Sequence, residues 1–320
     1  MHPNLKQIQK ARQLLSQYLP VTRLLAAPYL SEVSGARVYL KLETDLITGS
    51  FKARGALYTL ALNLERRPIR EVVASSTGNH GAAVAYAAKL LGIRAKIFLP
   101  AKCNPVKRNR IASLGAEIVE KGKDITDAFQ FAAKESVANP EIFVLNDATD
   151  ADLPCGPGVI GLEILEQLPE VQSIFVPMGD TALIRGIAAG VKQISAEVKI
   201  VGVQADEAPA YYLSWKKGDV VTTDSCNTIA DGLATRTPDP RNVEAVREMV
   251  DDIVLVSEKE MLQAIETLLL EEHVLAEPAG AASTAALLKS GAKPREEVVL
   301  LVSGANISRD VLRSAIGAGH

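Results

Sequence analysis

A lysine follows a glycine, a serine and a phenylalanine in TGSFKARG, residues 48–55, where a loop gives way to the helical run KARGALYTLAL. In a dry pocket near a helix start, desolvation and the local positive potential both favour a neutral, nucleophilic amine at Lys52. The plainer reading makes Lys52 and Arg54 exposed first-turn cations. A second segment, SSTGNHGAAVAYAAKLLG at 75–92, turns from a strand end through a small polar loop into an alanine-rich helix. The free N–H groups of that helix start, with the hydroxyls of Ser76 and Thr77 and the Asn79 amide, form a receptor for a carboxylate or phosphate. Plain N-capping by Ser76 or Thr77 explains the hydroxyls alone. His80 by itself reads as a structural hydrogen-bonding group.

A third cradle lies in VPMGDTALIRG, 176–186, where a strand runs directly into a helix. Gly179 frees the backbone to approach an anion, and the amides of Asp180, Thr181, Ala182 and Leu183 point at it. The carboxylate of Asp180 must then turn away, or the loop is only a helix start. Neither GxxxxGK[ST] nor GxGxxG is present here, so ATP and dinucleotide readings lack their signatures. The last segment, VVLLVSGAN at 298–306, ends an apolar strand in Ser303 and Gly304, where open α/β sheets place their ligands.

These loops need a scaffold, and the chain supplies one. Short β-branched runs at 71–75, 95–99, 117–119, 142–145, 173–177, 199–204, 252–256 and 297–302 alternate with helical patterns, which is βα repetition. Ile125, Ala128, Phe129 and Ala132 make one apolar stripe opposite Asp127, Gln130 and Lys134, and Ile184, Ile187, Ala188 and Val191 make another. SEKE at 257–260 spells a capping box opening a helix that runs to about residue 272. Aromatic residues are only 4% of the 320, and the aliphatic richness suits helices packed on both faces of a mostly parallel α/β sheet. That length favours two domains. The polar stretches ERRPIRE (65–71) and NDATDADLPCG (146–156) are the candidate boundaries. They divide the chain into a large domain, 1–69 and 149–320, and a small α/β domain, 70–148.

With 35 Lys+Arg against 38 Asp+Glu, the chain offers no electrostatic reason to bind nucleic acid or an anionic membrane, so a small-molecule ligand is expected. Cys103, Cys155 and Cys226 are widely spaced and fit core or surface thiols in a reduced, cytoplasmic protein. The amino terminus lacks an apolar h-region, and no apolar run approaches a membrane span.

In their order along the chain, YLKLETDLITGSFKARGAL, SSTGNHGAAVAYAAKLLGI, PMGDTALIRGIAAG, TIADGLATRTP, EEHVLAEPAGAAS and LVSGANIS resemble the fold-type II pyridoxal-phosphate enzymes, a two-domain α/β fold. The resemblance is greatest to the threonine/serine dehydratase branch that also contains serine racemase, and it covers almost the whole chain. It implies pyridoxal phosphate carried covalently on Lys52, with Asn79 bonded to the cofactor's 3′-oxygen. Ser76, Thr77, Asn79 and His80 would surround the substrate carboxylate. The amides of 179–183 would hold the phosphate, Ser303 would meet the pyridine nitrogen, and Phe51, Glu277 and Gly304 would line the pocket. A neutral hydroxyl does not hold the ring protonated as an aspartate would. β-Elimination is therefore favoured over transamination, and the implied reaction converts a β-hydroxy amino acid such as L-threonine or L-serine into a 2-oxo acid and ammonia.

Several residues depart from the branch's usual pattern. Thr77 stands where dehydratases commonly have alanine and racemases serine, which leaves racemisation open as a side activity. MGDTAL replaces a run of glycines, for which the Thr181 hydroxyl would compensate, and SGAN replaces the commoner SGGN. Asp206 matches one acidic ligand of the racemase cation site, but Tyr211 and Tyr212 stand where another is expected, so no required metal is expected. With the sequence ending at His320, no carboxy-terminal regulatory domain and no feedback control by isoleucine are expected. Many short members are dimers, and a homodimer is expected. The rival readings are β- or γ-replacement on the same fold and, more remotely, a non-catalytic binding protein.

Overall fold

The computed structural model describes residues 2–101, 105–123 and 125–317; Cys103 and His320 lie outside them. Ten strands are present among these residues: β1 Leu24–Ala26, β2 Arg37–Leu42, β3 Glu71–Ser75, β4 Arg94–Leu99, β5 Glu117–Glu120, β6 Ile142–Val144, β7 Ser173–Pro177, β8 Lys199–Ala205, β9 Asp252–Val256 and β10 Glu297–Val302. They form a six-stranded sheet, β1-β2-β10-β7-β8-β9, and a four-stranded sheet, β5-β4-β3-β6. Every pairing is parallel except β1 with β2.

The eight runs read from β-branched spacing all form strands, and β1 and β2 are additional. In RVYLKL, Arg37, Tyr39 and Lys41 alternate with Val38, Leu40 and Leu42, a period of two in which the cations interrupt the unbroken apolar run that marks the other buried strands. Lys41 is nevertheless fully buried, because its ammonium is satisfied from elsewhere, as described below. At the centre, β10 is apolar without alternation because it is covered on both faces. Val298, Leu300 and Val302 pack with Phe175, Val201 and Val203 beneath the helices Glu258–Leu270 and Pro278–Ser290. Val299 and Leu301 pack with Ile174, Val176 and Ile200 beneath the helices Cys155–Gln167 and Ala182–Lys192. The latter core continues through the helices Lys52–Arg66 and Asn79–Leu91 to Val72 and Ala74 of β3 and Ile97 and Leu99 of β4. One apolar mass thus runs behind both sheets, while Val73 and Phe98 face away onto Ala128 and Ala132.

The predicted capping box is present: Ser257 Oγ accepts from Glu260 N, and Glu260 Oε2 accepts from Ser257 N. Ile184, Ile187, Ala188 and Val191 are all fully buried. Among the described helices none is long and apolar enough to cross a membrane.

Arg54 is not a surface cation. Its guanidinium is buried between Glu43 and Glu163, at 2.8 and 2.7 Å, and Lys41 Nζ meets the same Glu163 at 2.6 Å. Thr22 completes the cluster with a hydroxyl donated to Glu43 and a carbonyl accepting from Lys41. Two cations and two anions balance, so the group is tolerated in the core. Arg54 and Lys52 lie two positions apart on one helix and therefore project to different sides. Anchoring Arg54 in the core fixes the turn that presents Lys52. Glu163→Gln, which leaves one buried cation uncompensated, should lower unfolding stability by about 3 kcal/mol or more; an unchanged denaturant midpoint would contradict this account of the cluster.

Candidate active site

Helices in this chain fall into two kinds at their amino ends. Those beginning after Asn4, Asp239 and Ser257 have a first-turn N–H bonded by the capping side chain. Those opening at Pro28, Lys52, Asn79, Cys155, Ala182, Ala210 and Pro278 have no side-chain cap bond, and four of these, at Lys52, Asn79, Ala182 and Pro278, open at the loops singled out in the sequence. Such ends keep free donors and a partial positive charge for something other than the protein. Capping by Ser76 or Thr77 is therefore not what these hydroxyls do. Ser76 Oγ accepts from Gly78 N at 3.2 Å, shaping the loop, and Ser76 and Thr77 are both half-buried. The segments before these ends follow the carboxyl ends of β3, β7 and β10 or cross beside them, which is where open α/β folds bind ligands.

Contacts tie these loops into one floor. Ser50 bridges to Gly304, Phe51 N donates to the Ser303 carbonyl, and Glu277 N donates to the Gly304 carbonyl. Asn79 Nδ2 donates to Glu277 Oε1 at 2.7 Å, while Asn79 Oδ1 accepts from Asn306 Nδ2. Asn306 also donates to the Thr48 carbonyl at 2.9 Å. A Cβ at Gly304 would run into Glu277 Oε1, so glycine here lets the Glu277 carboxylate lie against the turn. The sequence thus places Asn79, Glu277, Ser303 and Gly304 together, and the structure adds Asn306.

Lys52 is set against a residue that sequence reasoning missed. Its Nζ lies 2.7 Å from Asp147 Oδ2 and 5.5 Å from the centre of the Phe51 ring. Burial alone would lower the amine's pKa, but Asp147, helped by Asp180 and Glu277, outweighs it and holds the pKa above the ordinary lysine value. The expectation of a neutral amine is thereby corrected: without a ligand, an ion pair defeats desolvation. For Asp147, burial opposes ionisation, and His80 and Lys52 together overcome it, keeping the carboxyl below the usual range. His80 is buried beneath the loop. Its Nε2 donates to the Leu145 carbonyl at 3.1 Å, since a carbonyl only accepts, and its Nδ1 lies 3.8 Å from Asp147. Burial lowers the imidazole pKa, with Asp147 opposing and Lys52 reinforcing the shift. His80 thus packs against the wall that carries Asp147, with its Nε2 committed to the Leu145 carbonyl. Asp147 lies in NDATDADLPCG, which reads as a polar connection. Its only signal is position, three residues after β6 ends, where a parallel strand delivers its loop to a ligand site.

Across the floor, Gly179 sits against the Gly232 carbonyl, and a Cβ there would overlap that oxygen. Thr181 has φ +68°, a conformation for which glycine is usual, so the backbone keeps a glycine-type turn although its side chain is larger. Asp180 does turn aside, accepting from Thr235 Oγ1 at 3.0 Å, and burial followed by Asp147 raises its pKa. Gly179→Ala should displace this loop and cost at least about tenfold in affinity for a phosphorylated ligand. Titration of the ligand-free protein would check this, and unchanged affinity would contradict it.

Of the cysteines, Cys155 is buried and free, and burial pushes its thiol up to about 12, so it is inert. Cys226 is half-buried.

Pyridoxal phosphate asks a site for an amine, a phosphate receptor and a partner for the ring nitrogen. Lys52 and the uncapped start of Ala182–Lys192 meet the first two. Ser303 Oγ is buried and, among the described residues, spends its donor on a long 3.5 Å bond to the Ala279 carbonyl, and the buried Ser50 Oγ has no partner among them. Buried hydroxyls left unsatisfied beside a pocket are anomalous unless a ligand completes them, so the residues present fit the group.

Comparison with known proteins agrees. Residues 15–304 match the family model described as pyridoxal-phosphate dependent enzyme. An L-threonine ammonia-lyase of Thermotoga maritima is 36% identical over 315 residues, covering 98% of this chain and 78% of that protein. The structure of the T.th. threonine deaminase superposes with a TM-score of 0.89 at 32% identity, over 96% of this chain and 99% of that one. That of maize serine racemase does so with a TM-score of 0.91 at 28% identity, over 99% and 98%. With an amine, an anion receptor and a ring partner in place, and with a matching family model spanning most of its length, this chain belongs to the pyridoxal-phosphate dependent enzymes.

Proposed function

We propose that the protein is an ammonia-lyase that dehydrates and deaminates a β-hydroxy amino acid such as L-threonine or L-serine, giving a 2-oxo acid and ammonia. Lys52 would carry pyridoxal phosphate covalently. Asn79 would bond the 3′-oxygen, and the amides from Gly179 through Asp180, Thr181, Ala182 to Leu183 would hold the phosphate. Ser303 would meet the ring nitrogen, with Phe51, Glu277 and Gly304 lining the pocket. Ser76, Thr77 and Asn79, at the uncapped helix start, suit the substrate carboxylate; His80, turned to Leu145, supports Asp147 from behind.

When bound, the cofactor supplies a reversible covalent link to an amine and an electron sink for the pair left as an α-proton departs. The chain's own residues do the rest. The free donors at Asn79 fix the substrate carboxylate and hence the direction of the α-hydrogen. Lys52 Nζ accepts that proton as general base, and Asp147 stabilises the ammonium so formed. The floor of buried Ser50 and Ser303 with half-buried Glu277 restricts water around the reacting carbon. The observation that carries the preference for elimination is Ser303, a buried hydroxyl where a carboxylate would hold the ring charged. A substrate panel without added nucleophile tests the reading: 2-oxo acid and ammonia should appear in equal amounts. Product only when a second nucleophile is supplied would favour replacement chemistry, and inversion without ammonia would favour racemisation.

The four-stranded sheet, spanning β3 to β6, supports reading 70–148 as a small domain set into a large one formed by 1–69 and 149–320. The reading extends to a cytoplasmic homodimer, on the near-neutral charge balance, the sparse cysteines and the habit of the short dehydratases.

A further inference from the structure

The phosphate-side loop contains a cation that the roles above do not use. Arg185 belongs to the first turns of the helix Ala182–Lys192 and is buried, with relative exposure 4%. Side chains on a helix lean toward its amino end, and Arg185 follows that rule, its Nε donating to Thr181 Oγ1 at 3.0 Å. That is the one hydrogen bond of its side chain among the described residues, and no carboxylate among them lies within 4.0 Å of it. The nearby charged groups are committed elsewhere: Asp239 pairs with Arg241 at 2.9 Å, and Asp180 accepts from Thr235. Tyr211, also close by, receives Asp239 N and Asn242 Nδ2 on its hydroxyl oxygen. A buried guanidinium with no carboxylate in ion-pair contact is costly, and this one stands behind a helix end without a side-chain cap. The two observations are independent, and both ask for an anion at the same loop.

We infer that Arg185 and the Thr181 hydroxyl form, with the first-turn amides, a charged receptor for a phosphate monoester. This rests on the pyridoxal-phosphate reading above and deepens it. Thr181 Oγ1 accepts from Arg185 and also neighbours the Tyr211 hydroxyl, so this side chain holds the guanidinium at the head of the helix. Thr181 is held in a left-handed backbone conformation that glycine would adopt without strain, so its side chain is retained for what it contacts. Arg185 also acts favourably on the carboxyl of Asp180, which would otherwise oppose a dianion in this pocket.

The test compares ligands with and without the phosphate on the ligand-free protein, read by the spectral change on binding. In the wild type, pyridoxal phosphate should bind much more tightly than pyridoxal, and inorganic phosphate should compete with the former. Arg185→Met should weaken pyridoxal phosphate about tenfold or more while changing pyridoxal less than about twofold, and Arg185→Lys should recover part of the loss. Thr181→Val, which keeps every amide, should show the same selective loss to a smaller degree. Equal weakening of both ligands, or no weakening of either, would overturn the inference. A wild type that binds neither ligand would instead overturn the cofactor reading on which it stands. Melting curves of each variant with and without phosphate give a second readout: the stabilisation by phosphate should shrink in Arg185→Met, and a variant stabilised as much as the wild type counts against the inference.

Discussion

Lys52→Ala should lose turnover by at least about four orders of magnitude and release its cofactor on gel filtration, while folding normally. The size of the effect follows from two jobs resting on one amine. Nζ is the covalent handle for the cofactor, and it is the base that takes the α-proton. The side chain contributes little to folding beyond its pair with Asp147, because the turn that bears it is anchored independently by Arg54 between Glu43 and Glu163. The hydrogen-bonding floor around Ser303, Asn79 and the 179–183 loop remains, so cofactor should still associate, reversibly. Visible absorbance and ammonia release read the two losses separately. Retained turnover would remove Lys52 from the mechanism.

Asp147→Asn is expected to have the next largest consequence, about a hundredfold in kcat, with a change in pH dependence that a packing role would not produce. Asp147 raises the basicity of Lys52 against the opposing effect of burial. Without its charge, desolvation prevails and the lysine pKa falls. The acid limb of kcat, which reports the substrate complex in which Lys52 is a free amine, should then move to lower pH while the plateau drops, because the base is free at lower pH but holds its proton less well. Asp147→Glu should retain part of the plateau. Unchanged pH limbs with a lower plateau would indicate a merely structural carboxylate. Linkage gives a companion expectation for the ligand-free protein. The depressed Asp147 contributes stability above its unfolded value near about pH 4, lost as pH falls through the folded value. The raised Lys52 contributes below about pH 10, lost as pH rises through its folded value. Between those limits the pair stabilises the fold, and Asp147→Asn should flatten both edges.

How far these residues could be read in advance depended on whether they sit in local patterns. Gly179 and Ser303 stand where apolar strands break into small polar turns, and Lys52 and Asn79 open helical runs; such changes are local and visible. Strands buried on both faces, such as β10, announce themselves as unbroken apolar runs. β2 does not, because Lys41 interrupts it, and the charge that makes Lys41 tolerable comes from Glu163, over a hundred positions later. The same distance hid Asp147. Nothing near it in the chain distinguishes it from the other acidic residues of NDATDAD, and only the parallel pairing of β6 with β3 brings its loop to the Lys52 turn. His80 shows the converse, a residue conspicuous in its motif whose ring the fold turns away to the Leu145 carbonyl. Arg54 shows that a cation early in a helix can be core, provided distant carboxylates meet it.

The central claim is that one buried amine holds the cofactor and then moves the substrate's proton. Borohydride reduction of the holoprotein followed by peptide mapping addresses it most directly. The account predicts a single pyridoxyl label, on the peptide containing TGSFKARG and on Lys52. A label on another lysine, or no stable label on protein saturated with pyridoxal phosphate, would contradict it.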